Sequence, residues 1–437
     1  MITRVRILGF VILLLPVGVF GQDTLLISQS ELLQKVMEKN IHLKIAQQSN
    51  EAAKADFRQT NALFMPSIAA SYTGISTTNP LMAFGSKLNQ EILSASDFNP
   101  ELLNNPTKTK NFASKIEVLQ PIINSDGWLA RKAAQHKMDA YILQTARYQE
   151  FLQWETTKAY GQLQLAYKGV TVLRKAKQTI QTNLNTVKHY YEQGLIQKTD
   201  LLAMQIRASE IENQLQFGFS SVQNASDYLA FLMNDNANKN RVFKPTDEIT
   251  ELKITDISSV VPESRKDIQA LTKSTEAYQA MQKSSELSVL PKLNAFGNYE
   301  LYDTDFLGTK AKGYTIGAQL SWNIFDGYSS IGKIQKAKAE VQKSNLELTQ
   351  YKAQSQMELQ TALRNLNDLN NKVNLSLLAL NQAREAFIIK NNRFAQGLEK
   401  TSDLLNTENQ VLQKELEHIQ AIFDYQTTTH FIQFLTH

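Results

Sequence analysis

Residues 128–191 contain no proline and carry a heptad seam: Ala159, Leu163, Ala166, Val170, Leu173, Lys177, Ile180, Leu184, Val187 and Tyr191 step alternately by four and three residues. Apolar residues every 3.5 positions mark a helix that packs along its length against other helices. Lys177 is the one interruption. A single helix over this stretch would hold ~64 residues and reach about 96 Å at 1.5 Å per residue. Such a helix cannot fold back into a compact core, so it must pack laterally in a coiled-coil assembly. The composition agrees, because 17 Gly and 9 Pro in 437 residues leave little material for turns.

The seam recurs 203 residues later, less purely apolar, at Ala362, Leu366, Leu369, Val373, Ser376, Ala383, Phe387 and Phe394. It belongs to a wider duplication. Phe64-Met65-Pro66-Ser67-Ile68 matches Val289-Leu290-Pro291-Lys292-Leu293, and each opens a stretch of alternating apolar and polar residues. Gln120 to Gly127 matches Ser321 to Gly327, each closing such a stretch and opening a helix. Gln193-Gly194-Leu195 with Asp200-Leu201-Leu202 matches Gln396-Gly397-Leu398 with Asp403-Leu404-Leu405. The copies are offset by 203 residues at the glycines and 225 at the prolines, which puts an insertion of about 22 residues into the first copy. The segment about 76–110, rich in Asn, Pro and Ser, is the place for it.

Residues 1–21 read as a secretory signal peptide, with Arg4 and Arg6 ahead of an apolar run from Ile7 to Phe20. That run is too short for a spanning helix, which needs about 20 residues. No later run approaches spanning length, so the exported chain is either soluble or inserted as a β-barrel, whose backbone is satisfied within lipid. The formal charge is +4, or +2 once Arg4 and Arg6 are removed, with no block of like charge. Nucleic-acid binding has no electrostatic footprint here. The absence of Cys excludes thiol nucleophiles, Cys-ligated zinc, disulfides and acylation through Cys. The six His residues show no ligand spacing, and no Ser/His/Asp constellation, phosphate-cradling Gly loop or paired carboxylate motif occurs. The expectation is a non-enzyme without metal or cofactor.

Four segments alternate with period two, the signature of strands with one apolar face. They are expected at about 66–75, 111–121, 291–302 and 313–324. In the last, Tyr314, Ile316, Ala318, Leu320 and Trp322 alternate with Thr315, Gly317, Gln319, Ser321 and Asn323. Four strands cannot close a membrane barrel, since the smallest have about eight, and an open sheet would leave unpaired edges in lipid. Closure therefore requires oligomerisation, with two chains giving eight strands and three giving twelve. The rival reading is a periplasmic coiled-coil adaptor or scaffold without a pore.

The leading helix Leu32–Asn40, the Leu63-Phe64-Met65-Pro66-Ser67 strand opening, Arg265-Lys266-Asp267-Ile268, Leu320 to Gly327 and the two Gly-Leu-x₄-Asp-Leu turns together resemble the TolC family of outer-membrane efflux proteins. The resemblance covers essentially the whole mature chain. It implies a mainly α fold with a β-barrel part: a homotrimer whose 12-stranded outer-membrane barrel is continued by a periplasmic α-helical coiled-coil barrel. Its repeats would be 22–240, with an extracellular loop at about 76–110, and 263–437, joined by an equatorial linker at 241–262. It further implies the exit duct of a tripartite efflux or type I secretion system in a Gram-negative bacterium. The partners would be a periplasmic adaptor (membrane fusion) protein, an inner-membrane pump of RND, ABC or MFS type, and outer-membrane lipid.

In such a protein Gly194, Leu195, Gly397 and Leu398 form the adaptor-contacting helix tips, unless the glycines are helix C-caps alone. Asp200 and Asp403 narrow the periplasmic entrance, where an acidic ring attracts cations, or else cap the returning helices. The family's salt-bridged lock is not matched, because the expected second acid is Ala203 in one copy and Asn406 in the other, the expected base is Glu399, and an expected Tyr is Phe394. Lys198 and Lys400 are the candidate substitute partners. Tyr72, Tyr299, Tyr314 and Trp322, with Phe325, are candidate interfacial aromatics, the alternative being lumen filling or helix packing.

Overall fold

The structure is a computed structural model that describes residues 24–235, 241–247 and 258–437. The expected signal peptide and residues 248–257 of the expected linker lie outside these. From the N-terminus, strand β1 (Thr24–Ile27) leads into helices α1 (Gln29–Lys39) and α2 (Ile41–Gln59). Then come β2 (Ser67–Thr77), α3 (Pro80–Asn89), α4 (Pro100–Asn104), β3 (Thr109–Ile123), α5 (Ser125–Glu192) and α6 (Lys198–Leu232). The second half runs β4 (Val242–Pro245), α7 (Lys266–Leu287), β5 (Lys292–Asp303), β6 (Ala311–Ser321), α8 (Ser329–Ala395) and α9 (Thr401–Thr436). The two copies thus share the order helix, strand, strand, very long helix, tight turn, helix. The long helices α5 and α8 have 68 and 67 residues.

The chain divides into two compact units. Among the described residues the first comprises 24–40, 152–235, 241–247 and 362–432. Its helices bury most of the heptad seam: Leu163, Val170, Leu173, Ile180 and Val187 of α5 are buried, as are Leu366, Val373 and Phe394 of α8, while Tyr191 at the tip end is exposed. Lys177, the polar interruption, is exposed and ion-paired to Glu212 on α6. A feature with no counterpart in the sequence reading is the two-stranded parallel sheet of β1 and β4. It is tied to α5 by the Tyr160 hydroxyl, which donates to Asp247 Oδ2 at 2.8 Å and lies 3.1 Å from the Ile27 carbonyl oxygen.

The second unit comprises residues 41–151, 257–361 and 433–437. Its centre is a four-stranded antiparallel sheet in the order β2-β3-β5-β6, so that β2 and β6 are the open edges. At the start of α7, Arg265 is 2% exposed. Its guanidinium donates to Asp267 Oδ1 at 2.7 Å, to Ser355 Oγ at 2.6 Å and to the Leu435 carbonyl at 3.3 Å. Asp267 also accepts from the Tyr351 hydroxyl at 2.7 Å and faces Arg147 at 3.2 Å. The Arg-Lys-Asp-Ile motif is therefore a buried clamp joining the opening of α7 to α5, α8 and the end of the chain.

The segment expected as a loop at about 76–110 is folded. Asn79 caps α3 by accepting from Met82 N at 3.2 Å, and Pro80 sits at its first position, where a missing N–H costs nothing. Asn99 and Pro100 repeat the arrangement at α4. Lys87 and Asp97 pair at 2.7 Å, and the rings of Phe84 and Phe98 meet edge to face at 5.7 Å. The insertion is thus braced by contacts of its own.

The two-faced sheet and the helix tips

In an antiparallel sheet directly paired residues share a face, so the register sorts every side chain. One row is Ala70–Ile116–Tyr299–Tyr314, and the next is Ile68–Val118–Gly297–Ile316. Below these come Gln120–Ala295–Ala318 and then Leu293–Leu320. Together they make one continuous apolar face, with Ile68, Ile316 and Leu320 open to the surroundings. The opposite face carries Ser71, Lys115, Glu300 and Gly313 in one row and Ala69, Glu117, Asn298 and Thr315 in the next. Lys115 lies 3.0 Å from Glu117 and 3.9 Å from Glu300, so these charges are arranged among themselves on the polar side.

On the apolar face, charge appears only toward one end, at Lys110, Asp303 and Lys312. From Tyr314 to Trp322 the chain advances eight residues, about 27 Å at ~3.4 Å each. A strand tilt of about 40° reduces that to roughly 20 Å, against an apolar band about 25 Å tall in membrane barrels. An apolar patch of this extent and definition marks an interaction surface, and its height suits lipid.

The candidate aromatics flank this band unevenly. Tyr299 and Tyr314 are cross-strand partners near the charged end. Tyr72 is also at that end, but it packs with Phe112 and Phe306 at 6.2 and 5.6 Å between ring centres, and its hydroxyl accepts from Leu307 N at 2.8 Å. Trp322 lies toward the other end, its indole N–H donating to the Val289 carbonyl at 3.0 Å. Phe325 and Tyr328 meet edge to face at 5.7 Å, also past the end of β6.

Both helix tips close in the same way. Gly194 and Gly397 have φ of +71° and +74°, the left-handed conformation that glycine adopts without penalty. Gly194 N donates to the Tyr191 carbonyl and Leu195 N to that of Tyr190, both at 2.9 Å. Gly397 N and Leu398 N donate to Phe394 and Arg393, again at 2.9 Å. This paired pattern is the Schellman motif, which satisfies carbonyls at a helix end. It leaves Leu195 and Leu398 pointing outward, 66% and 63% exposed. Behind the tips Ile180, Val187, Met204, Phe394 and Leu404 form a common buried cluster. Phe394, where the family pattern has Tyr, is part of that packing, and the Tyr190 hydroxyl reaches the Ala395 carbonyl at 2.9 Å instead.

Asp200 lies in a capping box, its carboxylate accepting from Gln197 N at 3.2 Å. Asp403 stands 3.9 Å from Lys390. Lys390, near the end of α8, is thus the cation beside Asp403. Glu399, in the place of the family's base, is bound by Lys390 and Arg393, both at 3.0 Å. Its hydrogen bonds from Lys390 and then Arg393 hold its carboxyl below the usual range. The second tip therefore carries an ion-pair cluster of its own. Sequence reading also missed Arg207, which is buried between α6 and α9 and donates to Glu408 Oε2 at 2.9 Å and to Asn409 Oδ1 at 3.0 Å.

Among the described residues no helix is long and apolar enough to cross a membrane. No curated protein sequence matches the chain. Solved structures do resemble it. A membrane protein from Pseudomonas aeruginosa superposes with a TM-score of 0.82 at 16% identity, over 94% of this chain and 92% of that one. The CmeC outer membrane channel of Campylobacter jejuni gives 0.81 at 15%, over 93% and 85%. The outer membrane protein VceC of Vibrio cholerae gives 0.79 at 16%, over 93% and 96%. The profile of the outer membrane efflux protein family matches residues 32–235 and 258–435, one segment for each repeat. The chain belongs to that family of non-enzymatic outer-membrane transport channels.

Proposed function

We propose that three copies of this chain form the passive exit duct of a tripartite efflux or type I secretion system in a Gram-negative bacterium. The observation that carries this is the sheet: an apolar face of membrane height, a polar face opposite, and two unpaired edges, β2 and β6. Pairing β6 of one copy with β2 of the next removes both edges, and three copies give twelve strands. The apolar face then meets lipid, and the polar face lines the pore. The two repeats, 22–240 and 263–437 about a linker at 241–262, supply alternate parts of the helical barrel.

Three copies of two tips present six similar turns, each with an outward leucine. Gly194-Leu195 and Gly397-Leu398 are the surface for a periplasmic adaptor, whose inner-membrane pump, of RND, ABC or MFS type, supplies energy and substrate choice. Asp200 and Asp403 would form acidic rings at the periplasmic entrance. They differ in strength, since Asp200 serves its own helix cap while Asp403 shares Lys390 with Glu399. Tyr299, Tyr314 and Trp322 sit at the two borders of lipid. Tyr72 contributes more to the aromatic cluster of the β5–β6 turn.

Purification from outer-membrane fractions tests this reading. A heat-modifiable oligomer with the mass of three chains is expected, and it should retain an adaptor on cross-linking. A monomer recovered from the soluble periplasm would instead indicate a poreless scaffold.

A further inference from the structure

The insertion at 79–108 lies at the charged end of the sheet, and the burial there is one-sided. Thr109, Asn111 and Ala311 are buried. Thr109 pairs with Thr77, Asn111 with Ile75 and Ala311 with Tyr302. All three belong to the polar face. On the apolar face of the same end, Ser76, Lys110 and Lys312 remain exposed. Asp303, also on that face, is buried by its own turn, its carboxylate accepting from Asp305 N at 3.1 Å and Lys310 N at 3.2 Å.

Helix α3 provides the cover. Its inner side is Ala83, Ser86 and, just past its end, Gln90, all buried. Gln90 Nε2 donates to the Lys110 carbonyl at 2.8 Å, to Asn111 Oδ1 at 2.7 Å and toward the Asp303 carbonyl at 3.4 Å. One side chain thus ties the insertion to β3 and β5 from the polar side. The insertion is also internally braced by the Lys87–Asp97 pair and the Phe84–Phe98 contact.

We infer that residues 79–108 form a cap over the pore side of the barrel mouth, fastened by Gln90, which restricts passage of solutes between the outside and the barrel lumen. The inference rests on the barrel reading above. A shield on the lipid side would have buried the apolar-face residues at this end, and it does not.

The chain has no Cys, so a single introduced thiol reports without background. Ser71 is exposed on the polar face, two residues deeper than Thr73, which shares a row with Ala311. Ser76 lies at the mouth on the opposite face. Intact cells bearing Ser71→Cys or Ser76→Cys would be treated with a membrane-impermeant sulfonated maleimide. Because Thr77 and Thr109 already pair, residues 79–107 can be replaced by a short Gly-Ser turn.

Removing the cap is expected to speed labelling of Ser71→Cys by about tenfold or more, as a locally protected site becomes permanently open, while Ser76→Cys is unchanged. Gln90→Ala in the otherwise intact chain should give an intermediate rate, which keeps the test valid if the deletion impairs assembly. Equal rates for Ser71→Cys with and without the cap, in chains that form the heat-modifiable oligomer, would overturn the inference while leaving the barrel intact. Failure of the parent chain to form that oligomer would overturn both.

Discussion

Ile316 and Thr315 are neighbours in β6 that point to opposite faces, so arginine at each position measures the solvent on each side. Ile316 is 78% exposed in the single chain and lies about midway between Lys312 and Trp322. If that face met water, Ile316→Arg would be a surface change, within about 0.5 kcal/mol of neutral. If it meets lipid near the midplane, the cost is about 2–4 kcal/mol per chain, which three copies raise to roughly 6–12 kcal/mol per trimer. Thr315→Arg, on the face of Lys115 and Glu300, should stay within about 0.5 kcal/mol. Urea titration of folding into lipid vesicles, read by heat-modifiable mobility, separates the outcomes. A lower midpoint for Ile316→Arg alone is expected. Equal midpoints, or a larger loss for Thr315→Arg, would refute the assignment of faces.

Other expectations follow from the helical unit and the clamp. Gly397→Ala should cost about 1–2 kcal/mol in denaturant titration through its positive φ alone, because nothing lies within 4 Å of the added methyl; Gly397→Asn should cost less. Arg207→Met leaves Glu408 buried without its guanidinium and should destabilise by about 3–5 kcal/mol, whereas Arg207→Met with Glu408→Leu should recover most of that in the same titration. Burial alone would raise the Asp267 carboxyl, but hydrogen bonds from Arg265 and Tyr351 and the charge of Arg147 outweigh it and hold it below its ordinary value. Its contribution is therefore present above the unfolded pKa and lost as pH falls through the depressed one. Asp267→Asn should lower stability at neutral pH and flatten the acid limb of a thermal-melting series; an unchanged acid limb would contradict this.

The parts of this fold legible in the sequence are those governed by short periods. The alternation in β6 and the four-three stepping of α5 are local patterns, and the rows of paired residues reproduce the face that Tyr314, Ile316, Ala318 and Leu320 define. Gly194 and Gly397 are legible for the same reason, since a left-handed residue followed by Leu is a local device. What escaped depends on distance or symmetry breaking. Arg265 meets Ser355 and Leu435, 90 and 170 residues away. Arg207 and Glu408 come from different repeats and have Gln at the equivalent positions 410 and 205, so the duplication gives no hint of them. The β1–β4 pair is four residues in each strand, too short for a period to register. The helices of the insertion were accessible in principle, because Asn79-Pro80 and Asn99-Pro100 are both cap-and-start signals. A composition rich in Asn and Pro reads as loop unless the spacing of those residues is weighed.

Conductance is the property that separates a duct from every other use of these helices and strands. Purified chain added to a planar lipid bilayer should insert as an oligomer and give discrete, uniform current steps. Their preference for cations should fall when the acidic rings are removed by Asp200→Ala with Asp403→Ala. A bilayer that stays silent with oligomeric protein demonstrably inserted would contradict the claim that the polar face of this sheet lines a pore.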